Sequence, residues 1–556
     1  MNGGNGDEQF AGRGGNDAIN GGSGFDWALY DAGNQAVSID LAQGLALNDG
    51  FGNQDTLAGI EAIRGSYFDD YIIGTDRTDV WETYRGMHGN DAIDGRFGGD
   101  RVDYGLSYGA VNVDLTAGSA QDGHGTTDTL SNIEHVTGSN YADTLKGDSQ
   151  FNFLSGGYGN DALKGMGGLD RLDGGAGADT AQYSSNRGDY LLLSGANGAG
   201  AVARLGGGGD GVDRFYAMES LQFADGTVAL GSVGHRALEY TASHPDLMGA
   251  FGTDADAALD HFVTYGFAEG RQVTFGALEY IASYADLIGA FDANADAGAS
   301  HYISFGRNEG RQTNFDGLAY IASYNDLMNA FGANADAGAG HYISFGRNEG
   351  RQTSFDGVDY IASYADLINA FGANGDAGAS HFIDYGRNEG RATTFDGLEY
   401  IASYSDLINA FGANGHAGAD HFVSYGYAEG RQSSFSGLEY IASYTDLINA
   451  FGANAHSGAD HYIRYGYAEG RQSTFDGLEY IASYGDLIGA FGVNADAGAS
   501  HFISYGLSEG RTEHFNPAQY LANYADLQAA FGANTELATI HFIQYGYAEG
   551  RTDAPG

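Results

Sequence analysis

Residues 138–182 read, without insertion, as five nine-residue units: GSNYADTLK, GDSQFNFLS, GGYGNDALK, GMGGLDRLD and GGAGADTAQ. Position six holds Asp143, Asn152, Asp161, Asp170 and Asp179; position eight holds Leu145, Leu154, Leu163, Leu172 and Ala181. Glycine opens every unit and recurs within positions two to four of the last three. One apolar residue in every nine describes a coil in which tight glycine turns and short strands alternate. Glycine is needed in such turns where φ is positive or backbones approach closely. The aspartates fall at the turns, where carboxylates and exposed carbonyls of stacked turns converge on a hard cation. A donor set made of oxygen alone favours calcium over zinc or copper. A flexible glycine-rich linker would not keep an aspartate and an aliphatic residue in phase.

Four more units surround this block: GRGGNDAI at 12–19, GGSGFDWAL at 21–29, GMHGNDAID at 86–94 and GRFGGDRVD at 95–103. Together the nine units resemble the RTX (hemolysin-type) calcium-binding repeats, whose consensus is GGxGxDxUx. The resemblance implies a parallel β-roll that folds when calcium binds, and export by a type I secretion system. It makes Asp17, Asp26, Asp91, Asp100, Asp143, Asp161, Asp170 and Asp179 the candidate Ca2+ ligands. Asn152 and the Gln9/Phe10 region depart from the consensus.

Between the nonapeptides runs a longer repeat, with Ala36-Val37-Ser38-Ile39-Asp40-Leu41 answered by Ala110-Val111-Asn112-Val113-Asp114-Leu115. The alternation marks half-buried strands, expected as wider β coils inserted into the roll. Asp55, Asp128, Glu61 and Glu134 are either further ligands or solvated acids. A degenerate third copy, from Tyr183 to Leu230, reads as the cap a solenoid needs over its last apolar coil.

From Ala237 the period is forty. Eight tyrosines (Tyr240 to Tyr520), eight histidines (His261 to His541) and eight Glu-Gly-Arg triplets recur at that spacing. In the unit 396–435, Asp396-Gly397-Leu398-Glu399 has the form of a capping box. Leu398, Ile401, Tyr404, Ile408 and Phe411 give one apolar helical face, Gly412 a stop, and Asn414 the start of a second helix. Each unit is therefore expected to be a helical hairpin that must stack on its neighbours. Glu429 and Arg431 are expected to pair between hairpins, the alternative being a row of anionic-sugar sites. His421, with no second His or Cys at metal spacing, reads as a packed, hydrogen-bonded imidazole. Residues 292–298 have only a superficial EF-hand look, and helix capping by Asn and Asp is the better reading.

The fold class expected is multidomain: a parallel β-roll or β-solenoid at 1–182, a cap and linker at 183–236, and an all-α array of eight helical hairpins at 237–556. A formal charge of −48 excludes nucleic acid and anionic lipid as main partners. No apolar run is long enough to cross a membrane, and the opening residues carry no cleavable signal. Cysteine is absent, so calcium is the expected staple. No GxSxG, HExxH, P-loop or dinucleotide motif occurs, and identical repeats do not build one asymmetric pocket, so no enzyme activity is expected. The expected function is a secreted, calcium-binding structural protein of the cell surface or extracellular matrix that self-assembles into a filament or layer. The alternatives are an adhesin binding cell-surface glycan or a partner protein through the helical repeats, or the secretion and folding module of a larger toxin or enzyme.

Overall fold

The computed structural model describes residues 1–206, 208–230 and 236–555. The chain packs as two compact units, Met1–Phe315 and Asp316–Gly556. Part of the expected 183–236 cap and linker, residues 231–235, lies outside the described residues.

Among the described residues, the strands of the first unit form two sheets, of eleven and fourteen strands. Successive nonapeptides alternate between them. Phe153–Tyr158 pairs in parallel with Arg171–Ala176 in one sheet. Thr144–Lys146, Ala162–Lys164 and Thr180–Gln182 pair in parallel in the other. A full coil is therefore two nonapeptides. Because side chains alternate across a strand, position eight of every unit faces the gap between the sheets. Leu145, Leu154, Leu163, Leu172 and Ala181 are all fully buried there. In-register pairing extends one ladder as Ile63, Tyr84, Val102, Val136, Leu154, Leu172 and Phe215. Each buried leucine contributes about 2 kcal/mol of transfer free energy.

The longer repeat is not a wider coil. It is a three-stranded antiparallel meander added to one sheet only: Ser38–Asp40, Leu45–Asn48 and Asp55–Ala58 in the first copy, and Asn112–Asp114, Ser119–Gln121 and Thr127–Ser131 in the second. The chain turns back at Gly44 and Gly118, both in the left-handed region (φ 66° and 64°). The meander then rejoins parallel neighbours on both sides, Ala18–Asn20 and Tyr71–Ile73 in the first copy. At the far end, antiparallel strands terminate both sheets. Tyr190–Ser194 and Gly200–Arg204 close one, and Gly226–Ala229 the other.

The forty-residue units contain three helices, not two. In the unit 396–435 they are Gly397–Ala402, Ser405–Phe411 and Gly415–His421, the last running into a π-helical turn, Phe422–Gly426. The expected first helix breaks because Tyr404 is extended (φ −137°, ψ 119°). The break holds the end of the unit. Tyr404 Oη donates to Gln432 O and accepts from Gln432 N, both at 3.0 Å. Ser403 Oγ accepts from Ser434 N and Phe435 N.

Two further expectations are corrected. Arg431 pairs inside its own unit, with Glu429 (2.7 Å) and Asp406 (2.9 Å), and its guanidinium lies 4.9 Å over the Tyr404 ring. Two acidic partners and a ring lie within reach of one fork, so no charge remains for a neighbouring repeat. Asp396 does cap the first helix, accepting from Leu398 N and Glu399 N. Glu399, however, does not reach back to complete a capping box. Its Oε1 accepts from Gly437 N of the next unit at 2.8 Å, as Glu439 does from Gly477 N. The rest of the joint is apolar packing and one polar pair: the helix Gly397–Ala402 packs on Ala455–His461 of the next unit, Phe435 stacks on Tyr462 at 4.5 Å, and His456 Nδ1 meets Asp396 Oδ2 at 3.0 Å.

Tyr400 is fully buried, and its hydroxyl meets His421 Nδ1 at 3.1 Å. That contact matches the packed imidazole expected from sequence. Asn414 caps the third helix by accepting from Ala417 N, and Asn294 does the same with Ala297 N. The π-helical turn is where the Tyr400 hydroxyl is accommodated, since a Cβ on Gly426 would overlap that oxygen. Gly426→Ala is therefore expected to lower the stability of the helical region by about 1–3 kcal/mol, the cost of overpacking. The urea midpoint at 222 nm measures it, and an unchanged midpoint contradicts this packing.

Candidate metal centre

Each glycine turn brings its aspartate back over the glycine that opens it. A Cβ on Gly156 would overlap Asp161 Oδ2, and one on Gly165 would overlap Asp170 Oδ2. Gly86 stands in the same relation to Asp91, Gly138 to Asp143 and Gly147 to Asn152. Position one is thus glycine for space. Position four is glycine for conformation: Gly159 has φ 142°, and a methyl group there would strike Tyr141 O and lie 2.8 Å from Asp161 Oδ1. Carbonyl and carboxylate oxygens therefore crowd one side of the turn.

In five of the turns, one carboxylate oxygen serves the backbone of the preceding coil on its side. Asp161 Oδ1 accepts from Asp143 N, Asp170 Oδ1 from Asn152 N, and Asp179 Oδ1 from Asp161 N, each at 2.8 Å. Asp91 Oδ1 accepts from Asp70 N and Asp26 Oδ1 from Glu8 N, also at 2.8 Å. The other oxygen has no such donor. Oδ2 of Asp26, Asp91, Asp161, Asp170 and Asp179 is buried without a hydrogen-bond partner, and so are both oxygens of Asp100. These six side chains are at most 1% exposed. A buried carboxylate oxygen left without a donor costs free energy that a cation would offset.

The remaining two candidates differ. Asp143 is satisfied by protein: Oδ1 accepts from Val111 N (2.8 Å) and Ser139 Oγ (2.7 Å), and Oδ2 from Ser139 N (2.5 Å). Asp17 is half-buried, and its amide donates to Asp55 Oδ1 at 2.8 Å. Asn152 occupies its turn as an amide, accepting from Asp148 N at 2.7 Å and donating to Glu134 O at 3.2 Å.

Asp55, Asp128, Glu61 and Glu134 are not simply solvated acids. Asp55 and Asp128 are buried, and the four accept the amides of Asp17, Asp91, Asp26 and Asp100. They take the role that the next aspartate plays inside the contiguous block. Asp70 belongs to the same set, accepting from Val37 N and from Ser66 N and Oγ. Sequence reading passed over it, although Gly65-Ser66 followed by Asp70 mirrors Gly138-Ser139 followed by Asp143.

Among the described residues, no three His, Cys, Asp or Glu side chains converge as a metal cage. A cation here would take one or two carboxylates and draw the rest of its shell from turn carbonyls. That is a hard, all-oxygen set with the flexible coordination number of calcium. The family model for the RTX calcium-binding nonapeptide repeat, in four copies, matches residues 137–168 and 147–181. These turns are RTX calcium-binding repeats. No curated protein matches the chain. The RTX match covers the block containing Asp143, Asp161, Asp170 and Asp179, and the turns at 21–26, 86–91 and 95–100 repeat its glycine and aspartate positions.

Burial pushes the carboxyls of Asp91, Asp100, Asp143, Asp161, Asp170 and Asp179 up. Asp161 rises to about 6. Asp91 rises to about 9, with Asp128 as the nearest added negative charge, and Asp100 to about 8, with Glu82 and Glu134 beside it. A carboxyl raised in the folded state keeps its proton to higher pH than in the unfolded chain. The folded chain then binds more protons between about pH 4, where unfolded aspartates titrate, and about 9, the value for Asp91. Without divalent ions, stability therefore falls as pH rises through that window. In excess chelator, the urea midpoint of the strand-rich region is expected to drop between about pH 5 and pH 8. In saturating calcium the drop should be abolished, because the ion holds the carboxylates ionised. A midpoint that rises with pH in chelator contradicts this account.

Proposed function

We propose that the strand-rich part of this chain is a calcium-loaded parallel β-roll of a secreted, non-enzymatic structural protein. The ions complete the fold outside the cell. The observation that carries this reading is the row of buried aspartate oxygens without donors inside RTX turns. Cytosolic calcium is too low to fill weak sites of this kind, whereas roughly millimolar extracellular calcium fills them. The same difference would keep the chain unfolded until export and fold it afterwards.

The helical units supply the working surface in this proposal. Each presents one aromatic residue to solvent on its π-helical turn, including Tyr385, Tyr425, Tyr465, Tyr505 and Tyr545, at 55–63% exposure. Repeated identical surfaces favour lateral or head-to-tail association of copies into a filament or layer. Among the described residues no helix is long and apolar enough to cross a membrane. A second reading, glycan adhesion, draws on a cleft of about 410 Å³ lined by Trp81, Phe151, Phe153, Arg171, Asp173 and Tyr216. Aromatic faces beside a guanidinium and a carboxylate suit a sugar ring.

Circular dichroism of the chain in chelator at about pH 8, where the carboxyls ionise, is expected to show a weakened strand signal that about 1–2 mM calcium restores. Asp161→Asn with Asp179→Asn should bind fewer calcium ions by titration calorimetry. A strand signal that is indifferent to chelator overturns the calcium reading. Electron microscopy with and without calcium tests assembly, and discrete monomers in both conditions overturn it. Retention on a glycan array under those conditions favours the second reading.

A further inference from the structure

The outer face of the eleven-stranded sheet differs in charge from the rest of the chain. Side chains alternate across a strand, so the neighbours of the inward Val102, Val136, Leu154, Leu172 and Phe215 point away from the core. In register they are Arg101, His135, Phe153, Arg171 and Arg214. Arg64, Arg85 and Arg214 on this sheet are neutralised by Asp31, by Asp103, and by Asp256 with Asp260. Arg101 and Arg171 are not. Arg101 donates from Nη2 to Thr83 Oγ1 at 3.1 Å, and its Nε is buried without an acceptor. The exposed Arg171 guanidinium has, among the described residues, neither an ion pair nor a hydrogen bond. The chain holds 73 acidic and 25 lysine and arginine side chains, so an arginine that escapes them all is a place where an incoming anion meets no competitor.

Aromatic rings fill the space between these two arginines. Neighbouring strands are about 4.8 Å apart, which separates Arg101 from Arg171, three strands on, by about 14 Å. Trp81 stacks on His135 at 4.5 Å, and Phe151 and Phe153 meet the same imidazole edge-on at 5.9 and 6.3 Å. His135 is buried, and its Nδ1 accepts from Phe153 N at 3.2 Å, so the support under Trp81 is fixed. Trp81 and Phe151 nonetheless remain 56% and 43% exposed. Arg171, Asp173 and Tyr216 complete the lining of the cleft, which measures about 410 Å³. Asp173 is held by the amide of Gly175, and the Arg171 fork beside it stays open.

We infer that this cleft binds an acidic sugar residue: the pyranose ring lies on Trp81 and Phe151, its carboxylate takes the fork of Arg171, and its hydroxyls donate to Asp173. This inference rests on the glycan-adhesion reading above and names the class of glycan. A planar carboxylate matches a guanidinium with two parallel hydrogen bonds, which a neutral sugar cannot supply. A single acidic residue feels the local charge of the cleft, whereas a long polyanion would also meet the field of a chain carrying −48. The ligand is therefore one acidic sugar on an otherwise neutral glycan.

Titration calorimetry of the full chain in about 1–2 mM calcium tests this. The probes are 3′-sialyllactose and a trisaccharide ending in glucuronic acid, each beside its methyl ester, which keeps the shape and removes the charge. At least one acid is expected to bind about tenfold more tightly than its ester, and which one does so identifies the sugar. Arg171→Gln should erase that preference. Trp81→Ala should weaken acid and ester alike, and Arg464→Gln, on the helical array, should change nothing. The comparison of acid with ester on the parent decides the matter even where a variant fails to fold. If acid and ester bind equally, or Arg171→Gln keeps the preference, the acidic class is wrong and the glycan reading stands. If neither acids nor esters bind, the glycan reading falls and takes the inference with it.

Discussion

Placing a carboxylate underneath a glycine turn, with one oxygen bonded to the neighbouring coil and the other facing no donor, is the constraint on which the strand-rich unit depends. It explains both glycine positions at once. Gly156 leaves room for Asp161 Oδ2, while Gly159 bends the backbone so that carbonyls reach the same side. It also sets the energetics. Buried leucines favour the coil by about 2 kcal/mol each, but a stack of desolvated acids opposes it at neutral pH. The balance is decided by whether a proton or a divalent ion sits beside each acid.

The meanders keep this arrangement continuous across the gaps between nonapeptide blocks. Where the next turn aspartate is missing, Asp55, Asp128, Glu61 and Glu134 present a carboxylate to the waiting amide. The apolar ladder from Ile63 to Phe215 therefore runs unbroken, even though the sequence period changes from nine to a longer one and back.

What could be read in advance follows from how local each signal is. The nine-residue period shows the coil directly, since each unit repeats the same inward leucine and the same turn. The three-helix unit was hidden because Leu398, Ile401, Tyr404, Ile408 and Phe411 keep helical spacing through a break. One extended residue at Tyr404 leaves the apolar stripe nearly in phase, and the reason for the break, the clamp on Gln432 and Phe435, lies about thirty residues away. Glu399 was misread for a similar reason. Its capping-box spacing is local, but its partner Gly437 belongs to the next unit.

The closure of each arginine on acids of its own unit has an evolutionary meaning. Because Arg431 finds Glu429 and Asp406 at home, and Arg471 finds Glu469 and Asp446, the seams in this part of the array rely on apolar packing, a backbone amide held by Glu399 or Glu439, and side-chain contacts such as His456–Asp396. Duplicating or deleting a whole module therefore strands none of these arginines. The gene can thus lengthen or shorten this array in forty-residue steps while each arginine keeps its partners.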